Sequence, residues 1–102
     1  MENQTSAYET LYIIDPIVGE EGIKALVQKI NDLIAVHGTV ESTDEWGNRR
    51  LAYSIYVGSR EVKEGYYVLV KYTSLRSFPA ELDRICNITD GILRALTTKV
   101  VK

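Results

Sequence analysis

The spacing of apolar residues along this chain switches between two periods, and each switch marks an element. Residues 8–14, "YETLYII", alternate and are rich in aromatic and β-branched side chains, which predicts a strand. "DPIVG" breaks that rhythm. Gly19, followed by Glu20 and Glu21, then opens a helix, the two acids suiting its positive end. Ile23, Leu26, Val27, Ile30, Leu33 and Ile34 recur at helical spacing and make one stripe. Gly38 is placed to end that helix in the left-handed conformation. Residues 39–46, "TVESTDEW", form a more polar strand, at an edge or facing water. After "GN", the run "RRLAYSIYV" alternates again, with Leu51, Tyr53, Ile55 and Val57 on one face, like core residues. One long strand bent at a glycine bulge fits this pattern, and so do two strands joined by a tight "WGNR" turn.

The polar segment 58–65, "GSREVKEG", is expected to be a mobile loop. "YYVLVKY", residues 66–72, is the strongest strand: Tyr66, Val68, Val70 and Tyr72 alternate with Tyr67, Leu69 and Lys71. "TSLRSFP" introduces a second helix that runs to about Cys86, with Phe78, Leu82 and Ile85 as its buried stripe and Pro79 confined to the first turn. "NITDG" breaks it, and "ILRALTTKV", residues 92–100, is a last strand. The order βαββαβ predicts an α+β, ferredoxin-like two-layer sandwich. Its four-stranded antiparallel sheet carries both helices on one face, leaving the other face free to bind. That open face carries either Tyr8, Tyr12, Tyr66 and Tyr72 or their alternates.

Length and composition narrow the picture. The 102 residues make one domain, with residues 7–100 as an ordered core and residues 1–6 as a flexible N-terminus. A net charge of -2 argues against a generic polyanion binder, so contact with nucleic acid has to be local or aided by a more basic companion. The single cysteine, Cys86, sits in an apolar helical pattern and reads as a buried thiol in a reducing compartment. The one histidine, His37, falls on another element, at a helix end, and is a poor base for it. Metal-ligand spacings and a glycine-rich phosphate loop are missing, and Asp44 and Glu45, adjacent in a strand, point to opposite faces. The expectation is a non-catalytic protein with no cofactor, metal or small-molecule ligand. No run reaches the ~18 apolar residues of a membrane span, and "MENQTSA" is too polar for a signal peptide.

Two features point to a macromolecular partner. "LYIID" and "KEGYYVLVKY" resemble the paired motifs of an RNA-recognition domain, whose strand aromatics stack on bases. The rhythm is imperfect, because Tyr67 stands where a small residue is expected and Val68 where an aromatic is. Strand preference alone also accounts for these tyrosines. "DEWGNRRLAYSI", residues 44–55, is more distinctive, with two adjacent arginines at a glycine. An arginine fork suits phosphate oxygens, and Arg49 and Arg50 would point to opposite sides of the strand. Trp46 fits an anchor in a core or interface, and Tyr53 a packing residue.

"WGNRRLAYSI" resembles the signature of the bacterial small-subunit ribosomal protein six family. "YETLYIIDP", "EGYYVLV" and "ITDGILRALTTKV" resemble its opening strand, third strand and closing segment, so the likeness spans roughly residues 7–100. Ser54 and Tyr56 depart from the signature, and "NQTSA" lacks the basic residues that often precede the Tyr-Glu pair. The resemblance implies a non-catalytic constituent of the small ribosomal subunit, in the cytoplasm. It further implies binding to the central domain of the small-subunit RNA, at the platform, together with the basic eighteenth small-subunit protein. That companion would supply most of the phosphate neutralisation. Arg49, Arg50, Trp46, Tyr8, Tyr12, Tyr53 and Tyr66 are then the candidates for RNA or partner contact. Two other readings fit the same fold: an independent RNA-recognition domain, and a metabolic regulator or small enzyme.

Overall fold

The computed structural model describes residues 5–100 and arranges them as β1 (Thr5–Ile14), a 3-10 turn (Pro16–Val18), α1 (Gly19–His37), β2 (Gly38–Val57), β3 (Arg60–Leu75), α2 (Phe78–Ile88) and β4 (Ile92–Lys99). The four strands form one antiparallel sheet in the order β2-β3-β1-β4, the ferredoxin-like sandwich that the periodicity predicts. The expectation of a flexible N-terminus falls partly on residues 1–4, which lie outside the described residues. Thr5 and Ser6 belong to β1, opposite Leu75 and Ser74.

Each helix starts and packs for a local reason. Asp15 accepts a hydrogen bond from the Ile17 amide at 3.1 Å, and Pro16 presets the turn that leads into α1. Glu20 and Glu21 occupy the first turn of α1, and Ile23, Val27, Ile30 and Ile34 are its buried stripe. In α2, Pro79 sits in the first turn, where its missing amide is not needed, and Phe78, Leu82 and Cys86 face inward. The sheet answers with Tyr8, Tyr12, Ile14, Val68, Val70 and Tyr72. Burial of a side chain of this size contributes about 2–3 kcal/mol, so this layer dominates stability. Cys86 is fully buried, and burial pushes its thiol up to about 11.

Two expectations change, and one open choice closes. Gly38 is extended, with φ -177° and ψ -147°, and starts β2 rather than closing α1 in the left-handed region. Glycine is required there for space: a Cβ would stand 2.1 Å from the Thr73 carbonyl oxygen. Residues 60–65 are strand, not loop. β2 runs far enough to pair Arg60, Glu61, Val62, Glu64 and Gly65, and Val62 is buried between charged neighbours. The connection shrinks to Gly58–Ser59, with φ 64° at Gly58, a conformation glycine reaches without cost. The two readings of "WGNR" resolve into one long strand, because the register shifts between Glu45 and Gly47, where Gly47 has φ 87°. A larger irregularity follows. Between the pairs Arg50–Glu64 and Ile55–Val62, the segment Leu51–Ser54 stands against Lys63 alone.

Candidate functional site

The helices take one face of the sheet and leave the other bare. Alternation along β1, β3 and β4 sends Glu9, Leu11, Ile13, Tyr67, Leu69, Lys71, Arg94, Leu96 and Thr98 to the open side. Leu96, on the edge strand β4, is 64% exposed. A shallow groove of about 210 Å³ runs between Glu9, Leu11, Trp46, Leu69, Leu96 and Thr98. A second hollow, of about 170 Å³, lies where the bulged residues Leu51, Ala52 and Tyr53, with Ile55 beyond them, overhang Ile13, Tyr67 and Arg94. Gly65 makes that overhang possible, since a Cβ there would meet Ile13 at 2.2 Å.

Trp46 borders this face. Its ring stacks on Tyr67, with centroids 6.1 Å apart and planes within 7°. The Arg49 guanidinium lies 5.2 Å from the Trp46 ring centre, and the indole N–H donates to Asp44 at 3.2 Å. An exposed cation–π contact of this kind contributes about 0.5–1 kcal/mol, enough to bias the orientation of Arg49. Trp46 is 37% exposed, a half-covered anchor at a surface rather than a core residue. Arg50 is exposed on the other side, in an open depression with Asp15, Arg60 and Lys63. The two arginines thus serve different sides of the strand. The bend that sends them there follows from Gly47.

The tyrosines divide differently from the expectation. Tyr8 and Tyr12 are 8% and 0% exposed beneath the helices and cannot meet RNA or a partner protein. Tyr72 is also buried, its hydroxyl bonded to Thr10 at 3.0 Å, and burial raises its pKa. The pattern fits helix geometry: the wide apolar stripes of α1 and α2 cover Tyr8, Tyr12 and Tyr72, leaving Leu11, Leu69 and Leu96 outside with Tyr67. Tyr12 is therefore not placed to stack on bases in the manner of an RNA-recognition domain, and Leu11 and Leu69 stand outward on the two central strands. Tyr66 is half-buried and donates to Glu45 at 2.6 Å; that bond, with some burial, raises its pKa. Tyr53 is 86% exposed on the bulge, so it is not a packing residue. It follows Leu51 in the alternation, but the bulge breaks the ladder that alternation assumes.

Leu96, Leu11 and Arg94 belong to this surface, though no motif in the sequence singles them out. Each sits at an alternate position of a strand, but choosing the exposed set needs the helices in place. Among the described residues, no group of three or more His, Cys, Asp and Glu side chains could hold a metal, and no helix is long and apolar enough to cross a membrane. His37 stacks on Phe78 at 4.8 Å.

A sandwich with one bare, partly apolar face flanked by exposed arginines is the architecture of a binding module. Residues 7–99 match the family described as ribosomal protein S6. The small ribosomal subunit protein bS6 of Clostridium perfringens is 44% identical over 93 residues, covering 90% of this chain and 94% of that protein. Its counterpart from Clostridium novyi is 42% identical over 96 residues, covering 93% and 97%. The crystal structure of 30S ribosomal protein S6 from Thermotoga maritima superposes with a TM-score of 0.83 at 26% identity, covering 95% of this chain and 89% of that one. The chain belongs to the ribosomal protein S6 family. It is a structural constituent of the small ribosomal subunit, part of the ribosome in the cytoplasm, and not an enzyme.

Proposed function

We propose that this chain binds the central domain of small-subunit ribosomal RNA jointly with the basic eighteenth small-subunit protein. The observation that carries the reading is an arginine-bearing bend on the edge strand β2 next to an apolar groove that crosses the open face. Arg49 and Arg50 are exposed at the Gly47 bend, and the apolar groove of Leu11, Leu69 and Leu96 opens beside Trp46. Arginine forks suit phosphate oxygens, whereas an aliphatic groove suits a protein. In this division Arg49 and Arg50 contact RNA. Trp46 and Tyr53 frame the protein contact as rigid aromatic anchors, and Tyr66 orients Glu45 at the margin. A net charge of -2 is compatible with an RNA site because a cationic companion neutralises most of the phosphates.

The test is binding to a central-domain fragment of small-subunit RNA, with and without the purified eighteenth protein, at two salt concentrations. Tight binding is expected when both proteins are present. Arg49→Ala or Arg50→Ala should then reduce the salt dependence by about one power of salt concentration each. Equal binding by this chain alone would remove the dependence on a companion. Absence of binding in both arms would overturn the reading.

A further inference from the structure

The β2–β3 hairpin has a weak point that the sheet alone does not mend. Beyond the bulge at Leu51–Ser54, its ladder continues for three pairs, Ile55–Val62, Tyr56–Glu61 and Val57–Arg60. So short a two-stranded piece is marginal by itself. Two contacts tie it back to the body. Val62 is 5% exposed, in the stretch that lies along Pro16 and Ile17. Arg60, next to the Gly58–Ser59 turn, sends its two terminal guanidinium nitrogens to the two carboxylate oxygens of Asp15, 45 residues away.

Asp15 is built to hold that fork. Its side chain is 5% exposed, against 40% for Arg60, so the pair is sheltered at the carboxylate end. One oxygen also accepts from the Ile17 amide, and the Asp15 amide donates to the Gly91 carbonyl at 2.7 Å. Asp15 is thereby fixed to β1, to the 3-10 turn and to the start of β4. A planar fork on a carboxylate constrains direction as well as distance.

We propose that the Asp15–Arg60 pair is a positioning latch that holds the outer hairpin, and with it the bulge that overhangs the open face, in binding-ready orientation. The latch rests on the reading that the open face and its arginine margin form the binding surface. Without the pair, the hairpin swings about Leu51–Ser54, and Tyr53 no longer stays above Ile13 and Tyr67. Affinity then falls with the fraction of molecules in the competent orientation.

Asp15→Asn isolates the idea, because an asparagine oxygen still caps the Ile17 amide while the charge facing Arg60 is gone. Hydrogen exchange and binding to the central-domain RNA fragment with the eighteenth protein are read on the same samples. In Asp15→Asn and Arg60→Met, amides of residues 55–62 should exchange about tenfold or more faster, with the centre of the β1–β3 ladder unchanged. Affinity should fall several-fold in both, and Arg60→Lys should restore part of it. The sign in Asp15→Asn is decisive, since removing a negative charge would by electrostatics alone strengthen binding to RNA. Its salt dependence should match the wild type, because no phosphate contact is lost. Unchanged hairpin exchange, uniform acceleration across the sheet, or tighter RNA binding by Asp15→Asn would each overturn the latch. A wild-type chain that fails to bind overturns the function reading instead, and the exchange rates then decide the latch alone.

Discussion

The two faces of one sheet carry different chemistry in this chain, in the opposite sense to the one its strand tyrosines suggest. The covered face holds Tyr8, Tyr12 and Tyr72 with Ile14, Val68 and Val70; the open face holds Leu11, Leu69 and Leu96 between charged neighbours. Aromatic residues fill the gap between a sheet and two helices because each buries a large area. Aliphatic residues on a bare face stay partly exposed until a partner arrives. The lesson is that residue type along a strand does not say which side faces solvent. The helices decide that, and the same alternation serves either outcome.

Substitution of one large side chain on each face should separate them most sharply. Tyr12 is fully buried, so Tyr12→Ala should destabilise the fold by about 3–5 kcal/mol, measured by denaturant unfolding. A loss below about 1 kcal/mol would mean that the covered face is not the main source of stability.

Much of this was legible from spacing. Both helices, the four strands and their order follow from where the apolar period changes, because Ile23 to Ile34 and Tyr66 to Tyr72 have no other regular solution. What stayed hidden depends on a second element. Gly38 looks like a helix cap in sequence, yet the reason for glycine is the Thr73 carbonyl on a neighbouring strand. Residues 60–65 look like a loop because Glu61, Lys63 and Glu64 are charged, yet β2 supplies the backbone partners that make them strand. The site was half readable. Arg49 and Arg50 stand out beside Gly47, whereas the open-face leucines and the Asp15–Arg60 pair appear only once the chain is folded. Distance along the chain hid them.

Protonation offers a second way to separate the faces. Burial raises the Cys86 thiol from 9.0 to about 11, so the folded state favours the neutral thiol. Its contribution is fully present below pH 9 and is lost as pH rises toward 11, amounting to roughly 2–3 kcal/mol. Tyr12 and Tyr72, also raised by burial, add to the loss above their ordinary value of 10.0. Urea unfolding between pH 7 and 11 should show a plateau and then a decline, and Cys86→Ala should remove the first part of that decline. A flat profile would show that ionisation of the covered face does not control alkaline stability.

The covered face also contains its own contrast. The Tyr72 hydroxyl bonds to Thr10, which bonds to Thr97 at 2.8 Å, and Thr97 donates to Asp83 at 2.7 Å, a chain that leads to the surface. The Tyr12 hydroxyl is buried without a partner among the described residues. Tyr72→Phe should therefore cost about 1 kcal/mol, while Tyr12→Phe should stabilise by a similar amount, since an unpaired buried hydroxyl is desolvated without compensation. Thermal unfolding of the two variants side by side would reverse this ranking if a bound water satisfies Tyr12.

The smallest effect on stability should come from the β4 edge of the open face, and it is the most informative about function. Leu96 is 64% exposed, so Leu96→Ser removes little buried area and should change unfolding free energy by less than about 0.5 kcal/mol. If a protein partner seats on the groove, the same change removes an apolar anchor from its β4 wall and should weaken the assembled complex by about 1–2 kcal/mol. The salt dependence should stay unchanged, because no charge is altered. Arg49→Ala should do the reverse, lowering the salt dependence with little change in stability. A Leu96→Ser protein that assembles with wild-type affinity would place the protein contact away from the groove. The bare face would then be tolerated exposure, and the arginine margin would carry recognition by itself.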